Sequence, residues 1–333
     1  MTALLQELDD RARDSSFSGV VRVDRGDELV LERAYGFAHR GHEVPNEVDT
    51  RFAIASGVKG MTALTVVGLV EDGTLGLETT ARSVLGDDLP LIGDDVTVEH
   101  LLAHRSGIGD YVDEDVETDA TAYLMPVPVH ELASTEQYLA VLGGHSPKFA
   151  AGERFSYCNG GYVVLALIAE RASGVPFPEL VERRVCEPAG MRDTSFLRSD
   201  ELPERTAIGY LAADGLRTNV LHLPVRGSGD GGIYTTAADI RALWRAFFGA
   251  RIVPERRVRE MTHALSEPNE RWRYGIGFWL QASTGTVVLE GYDAGVSFRS
   301  LHDPRADVTA TVVSNWTDGA WPIAKRLAER LQL

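Results

Sequence analysis

The stretch Phe52-Ala-Ile-Ala-Ser56-Gly-Val-Lys59-Gly-Met-Thr-Ala-Leu64 sets a lysine three residues after a serine, at the head of an apolar run that continues to Val70. A run of that kind predicts a buried helix. If the helix starts at Ser56, then Ser56 and Lys59 are i,i+3 neighbours on one face. The hydroxyl then lies at the helix N-terminus, where unpaired N–H groups and the dipole favour developing negative charge. Serine is a poor nucleophile unless an adjacent base takes its proton. A lysine amine withdrawn from water loses its preference for the charged form and becomes such a base near neutral pH. Only three of the 33 lysine and arginine residues are lysines, so arginine is the ordinary cation here and Lys59 is no by-product of composition.

A second informative stretch is Ala151-Gly-Glu-Arg-Phe-Ser-Tyr157-Cys158-Asn159-Gly-Gly-Tyr162. A tyrosine two residues before an asparagine, in a glycine-bounded turn ahead of an apolar helix, aims both side chains one way. Beside a serine–lysine pair such a phenol becomes a proton shuttle between nucleophile and leaving group, provided a nearby ammonium lowers its pKa.

Outward from these stretches, the two ends of the chain read as strands. Ser18–Asp24 and Glu28–Tyr35, joined by the turn residues Arg25-Gly26-Asp27, predict a β-hairpin. Three more strands are expected at 285–289, 296–302 and 308–314, followed by an amphipathic helix from about Pro322 to Leu331. Between the ends the periodicity is helical and loop-rich, with helices expected at 98–104, 135–142, 161–172 and 237–248. The expected class is therefore α+β. Residues 1–80 and 230–333 would form an α/β domain with an antiparallel sheet, residues 81–229 a mainly helical one, and the active site would lie in the cleft between them.

Ser56-x-x-Lys59, Tyr157-x-Asn159, the run Glu99-His-Leu-Leu-Ala-His-Arg-Ser-Gly107, Pro188-Ala-Gly-Met191 and Gly231-Gly-Ile-Tyr-Thr-Thr-Ala-Ala-Asp239 occur in one order along nearly the whole chain. In this the sequence resembles the serine β-lactamase family, in its class C, D-Ala-D-Ala carboxypeptidase and esterase branch. The resemblance implies a β-lactamase/penicillin-binding-protein-like fold and an acyl-enzyme on Ser56. Lys59 and Tyr157 would manage the proton, and Asn159 would bind the substrate and orient Lys59. The oxyanion hole would be the Ser56 N–H with an N–H from a strand at the sheet edge.

The chain departs from the family at its third motif. Relatives carry Lys-Thr-Gly, His-x-Gly or Trp-x-Gly on the strand facing the nucleophile, whereas this chain has Glu290-Gly291-Tyr292-Asp293-Ala294-Gly295. Tyr292 or Asp293 stands where the Lys or His would be, and Tyr292, Asp293 and Gly295 are the further candidate substrate-binding residues. Either side chain removes the attraction for an anionic carboxylate, and an aspartate repels it. The expected activity is hydrolysis of a small ester or amide with a neutral, compact acyl group. A β-lactamase or D-amino-acid peptidase, and a catalytically silent binding member of the family, are the alternatives.

Apolar content of 44% and charged content of 25% are those of an ordinary globular protein. The net charge of −16 excludes a phosphate-backbone partner. The acid run from Asp110 through Asp113, Glu114, Asp115 and Glu117 to Asp119 is expected to be a solvated loop, and Gly227–Gly232 a flexible connection back to the sheet. His100 and His104, i,i+4 on a helix, lack a third ligand, and Cys158 and Cys186 have no metal-type spacing, so no metal and no cofactor are expected. The N-terminus has no basic region or apolar core of a signal peptide, and no stretch reaches the length of a membrane span. A cytoplasmic enzyme acting on a small molecule, with neither nucleic acid nor membrane as partner, is the resulting expectation. Trp272, Tyr274, Phe278 and Trp279 are expected in the core, with one face free to wall an acyl pocket.

Overall fold

The computed structural model describes residues 2–116 and 119–333. Helix α1 (Thr2–Asp14) leads into strands β1 (Gly19–Arg25) and β2 (Glu28–Tyr35). The central helices are α2 (Lys59–Glu71), α3 (Asn159–Ser173) and α4 (Ala237–Phe248). The chain then returns through β3 (Trp272–Tyr274), β4 (Trp279–Gln281), β5 (Val287–Asp293), β6 (Val296–Asp303) and β7 (Val308–Ser314), and finishes in α5 (Ala320–Leu331). Among the described residues, these strands form one seven-stranded sheet in the order β2-β1-β7-β6-β5-β4-β3. Neighbours run antiparallel throughout, with Gly19 of β1 opposite Ser314 of β7. The two chain ends thus meet in the middle of the sheet, in an α+β architecture.

Alternation along the strands decides which helix covers which face. Val20, Val287, Leu289, Phe298 and Val313 point to the side of α2 and α4, in the main core. Their neighbours Val21, Val288, Leu301 and Val312 point the other way, onto Leu8 and Ala12 of α1 and Ile323, Ala324 and Leu327 of α5. Every residue of β7 is buried, as a strand sandwiched between two helical layers must be. Helix α2 is apolar all round because it runs through the core, with Lys59 through Val67 and Leu69 buried. Among the described residues no helix is long and apolar enough to cross a membrane.

The turn ahead of α2 approaches the sheet closely, and two glycines permit it. Phe298 lies opposite Gly291 in the register of β6 and β5. A Cβ on Gly57 would come within 2.6 Å of the Phe298 ring, and one on Gly291 would overlap the Ile54 carbonyl oxygen. The sheet therefore touches the turn that carries Ser56 backbone to backbone.

Candidate active site

Ser56 does not begin the α-helix. It sits in a 3₁₀ turn, Ala55–Val58, and α2 starts at Lys59. The turn opens with Ala55 at φ 44°, a left-handed conformation that a residue with a Cβ adopts only under constraint. The i,i+3 relation survives the change of helix type, since residues three apart eclipse in a 3₁₀ turn. Lys59 Nζ lies 2.8 Å from Ser56 Oγ, 2.8 Å from Asn159 Oδ1 and 2.9 Å from the Asp230 carbonyl oxygen.

Burial pushes the Lys59 amine below the ordinary lysine range, against the pull of the carboxylates of Asp230, Glu114, Asp110 and Asp293. A charged ammonium would donate to all three oxygens. The neutral amine keeps two donor bonds, to Asn159 and Asp230, and turns its lone pair to the Ser56 hydroxyl. That is the geometry a general base requires.

The Tyr157 side chain lies beside Ser56, and Lys59 Nζ stands 4.9 Å from the Tyr157 ring centroid. The condition of a lowered phenol pKa is not met. Burial, with Glu114 and Tyr274 adding to it, holds Tyr157 well above its usual value. A cation over the ring face does not compensate for the loss of water around the oxygen. Tyr157 is thus a protonated donor rather than a phenolate. Its ring is wedged between His104, at 4.3 Å, and Trp279, at 5.9 Å.

His104 is not on a helix, as its helix ends at Leu102 and His104 has φ 54°. Buried and held neutral, it accepts the Cys158 N–H on Nδ1 at 3.1 Å and so fixes the Tyr157–Cys158 segment. His100 instead caps that short helix through Thr97, and among the described residues no group of His, Cys, Asp and Glu side chains is arranged to hold a metal ion. Cys158 is buried and caps α3, with its Sγ accepting the Gly161 N–H.

The acid run is a loop with Glu114 and Asp115 exposed and Asp113 half-buried, but its first member is not solvated. Asp110 is buried and accepts N–H bonds from Asn159 at 2.6 Å and Gly160 at 2.8 Å, placing a carboxylate at the α3 N-terminus. Desolvation still raises it, to about 6. Glu114 accepts from Asn159 Nδ2 at 2.9 Å, so Asn159 is held at both ends of its amide. Glu117 lies outside the described residues. The glycine-rich connection is likewise part of the site, through the Asp230 carbonyl on Lys59 and the Gly229 carbonyl on Thr62. Tyr111 donates to the Asp230 carboxylate. No spacing signal in the sequence ties Asp110, Glu114 or Asp230 to Ser56.

A cavity of about 250 Å³ opens at Ser56, walled by Tyr111, Glu114, Asn159, His222, Asp230 and Asp293 among others. The third motif resolves here. Glu290 faces away and pairs with Arg299. Tyr292 is 40% exposed at the rim, against Trp321, and Asp293 looks into the cavity. Burial and the nearby Asp230 and Glu114 carboxylates raise Asp293 to about 7. Gly295 is not brought to the cavity. It occupies the β5–β6 turn at φ 74°, where its N–H donates to Thr317 and a side chain would strain the backbone. Tyr274 and Trp279 back the Tyr157 ring, whereas Phe278 packs on Trp244 and Phe247 in the core.

Comparison with known proteins agrees with this architecture. A family model described as Beta-lactamase matches residues 2–333. The crystal structure of a penicillin binding protein from Bacillus halodurans superposes with a TM-score of 0.91 at 34% identity, covering 97% of this chain and 99% of that one. Esterase EstB of Burkholderia gladioli is 32% identical over 63% of this chain and 55% of its own length. A D-aminopeptidase of Brucella anthropi is 29% identical over 70% of this chain and 42% of its own length. The chain thus spans about half the length of these two relatives. With a family model matched from residue 2 to residue 333 and a solved relative superposing over nearly its full length, this chain belongs to the β-lactamase family.

Proposed function

We propose that this protein is a serine hydrolase that cleaves a small ester or amide through an acyl-enzyme on Ser56, in the cleft between residues 1–80 with 230–333 and residues 81–229. One observation carries the reading: a buried lysine amine, lowered by desolvation, 2.8 Å from a serine hydroxyl that opens into a cavity. Neutral Lys59 takes the Ser56 proton as Oγ bonds to the carbonyl carbon. The oxyanion is met by the Ser56 N–H and an N–H at the end of β5. Tyr157 donates toward the leaving oxygen or nitrogen as its bond to carbon breaks, and is reprotonated from Lys59. Water then attacks the acyl carbon, gives its proton back through the same groups, and frees the acid. Asn159 holds the acyl side of the substrate and Tyr292 and Asp293 the rim.

The altered third motif argues against anionic β-lactams and D-Ala-D-Ala stems as substrates. Their carboxylate would meet Asp293 in a cavity whose wall, among the described residues, has no arginine or lysine side chain. The test is intact-mass spectrometry after incubation with a fluorophosphonate, together with hydrolysis of p-nitrophenyl acetate. One adduct is expected on the wild type and none on Ser56→Ala, with ester turnover falling by about 10³-fold or more. Labelling or turnover that survives Ser56→Ala would refute the proposal.

A further inference from the structure

Residues 113–116 form a turn, closed by the Val116 N–H on the Asp113 carbonyl at 3.0 Å. Its side chains part to two sides. On one side Lys148 Nζ donates to Asp113 at 2.6 Å and to Asp115 at 3.1 Å, and Ser156 Oγ donates to Asp115 at 3.2 Å. On the other, the Glu114 carboxylate and the Val112 carbonyl just before the turn both meet Asn159. Lys148 is itself anchored, its N–H donating to the Gly107 carbonyl at 2.8 Å. It does not line the cavity at Ser56, so one of the three lysines of the chain buckles the turn from behind.

Asn159 is left with no donor to offer. A side-chain amide has one acceptor oxygen and two N–H groups. Its Oδ1 accepts from Lys59 at 2.8 Å. Its Nδ2 donates to the Val112 carbonyl at 3.2 Å and to Glu114 Oε1 at 2.9 Å. Asn159 lines the cavity and is only 6% exposed. Carbonyl and carboxylate oxygens only accept, so the amide cannot turn round without setting oxygen against oxygen. The two acceptors differ in their freedom. Val112 contributes backbone, whereas Glu114 is an exposed side chain that can swing into water. Only the N–H held by Glu114 can be released to another acceptor.

We infer that Glu114 sets the acyl specificity of the site: by occupying the releasable N–H of Asn159 it selects acyl chains without a hydrogen-bond acceptor, and Lys148 keeps it there. This deepens the function proposed above and rests on Ser56 being the nucleophile. Asn159 then bounds the acyl side as a wall with no donor to spare. An acyl chain with a carbonyl beside Asn159 must displace Glu114 or leave its oxygen unpaired next to a carboxylate, and each costs binding. A hydrocarbon chain incurs neither cost. Loss of the Lys148 pairs loosens the turn and leaves the wall intact, so its effect has the same direction and is smaller.

The experiment compares kcat/KM for p-nitrophenyl 4-oxopentanoate with that for p-nitrophenyl 4-methylpentanoate, which has a methyl group in place of the ketone oxygen. The oxo-to-methyl ratio is expected to rise about threefold to tenfold over wild type in Glu114→Ala, the worth of one released hydrogen bond. Glu114→Gln keeps an amide oxygen that accepts from Asn159, and should stay within about twofold of wild type. Lys148→Met should raise the ratio about twofold to threefold. Comparing ratios between variants cancels intrinsic ester reactivity and any general loss of activity. An unmoved ratio in Glu114→Ala, or an equal rise in Glu114→Gln, would overturn the inference and leave the hydrolase reading intact. An unmoved ratio in Lys148→Met would remove Lys148 from it. Failure of the wild type to turn over either ester would instead strike the hydrolase reading, and binding then decides the inference alone. In Ser56→Ala, the thermal stabilisation by 4-oxopentanamide relative to 4-methylpentanamide should grow when Glu114→Ala is added. No growth counts against the role of Glu114.

Discussion

Lys59 concentrates the chemistry of the molecule in one side chain, because its three contacts define both its protonation and its aim. Lys59→Arg retains a cation but installs a group that does not deprotonate in the working range. It is expected to lower kcat by about 10²–10⁴-fold, the usual worth of a general base. In the wild type, kcat/KM should rise with pH as Lys59 loses its proton, with an acid limb below the ordinary lysine range. An acid limb in that ordinary range, or an active Lys59→Arg, would remove Lys59 as the base. Ser56, Lys59, Tyr157 and Asn159 were legible in the sequence because they lie in two local spacings, i,i+3 and i,i+2. Asp110, Glu114, Asp230 and His222 were not, since they reach the site only by tertiary approach. An aspartate in a glycine-rich run reads as a loop until the Asp230 carbonyl is found on Lys59. The condition on the phenol pKa was left open for a related reason. Neither the approach of Lys59 to the Tyr157 ring nor the burial that outweighs it is set by sequence spacing.

At the scale of the element, the contact of the Ser56 turn with β5 and β6 sets the position of the nucleophile. Gly291→Ala introduces a methyl where the Ile54 carbonyl already lies, so either the strand or the turn must retreat. We expect a destabilisation of about 1–3 kcal/mol, typical of overpacking, measured by urea denaturation. Ester hydrolysis should fall further than stability does, because a displaced turn moves Ser56 relative to Lys59 and Tyr157. Wild-type stability and turnover in Gly291→Ala would show that the close approach is not what places the serine. The strands and long helices were largely readable from periodicity, since their alternation reports two-sided burial. The helix boundary at Ser56 was not. A 3₁₀ turn and an α-helix place residues i and i+3 on nearly the same face, and the positive φ at Ala55 comes from packing rather than from its residue type. Within the acid run Asp110 departs from the expected solvated loop, because it is spent on backbone N–H groups at the start of α3.

At the scale of the whole molecule, the sheet joins the earliest strands to the latest, and α1 and α5 share one layer, tied by ion pairs from Glu7 to Arg326 and Arg330. Ending the chain after Asp303 removes β7 and α5 while retaining Ser56, Lys59, Tyr157 and Asn159 in sequence. We expect such a chain to show no cooperative unfolding transition and no fluorophosphonate adduct. A labelled, cooperatively melting fragment would mean that the helical part and the hairpin suffice. The same topology carries a consequence for the order of events during synthesis. Strand β1 leaves the ribosome well before β7 and has only β2 to pair with until β7 appears, so its other edge stays open in the interval. Contacts between residues so far apart in sequence close slowly, because the loop entropy must be met before they contribute. The nascent chain therefore holds its serine and lysine as an unassembled pair until β7 is made. Reactivity should arrive only with β7, which makes synthesis of that strand a built-in safeguard against hydrolysis by partly folded enzyme.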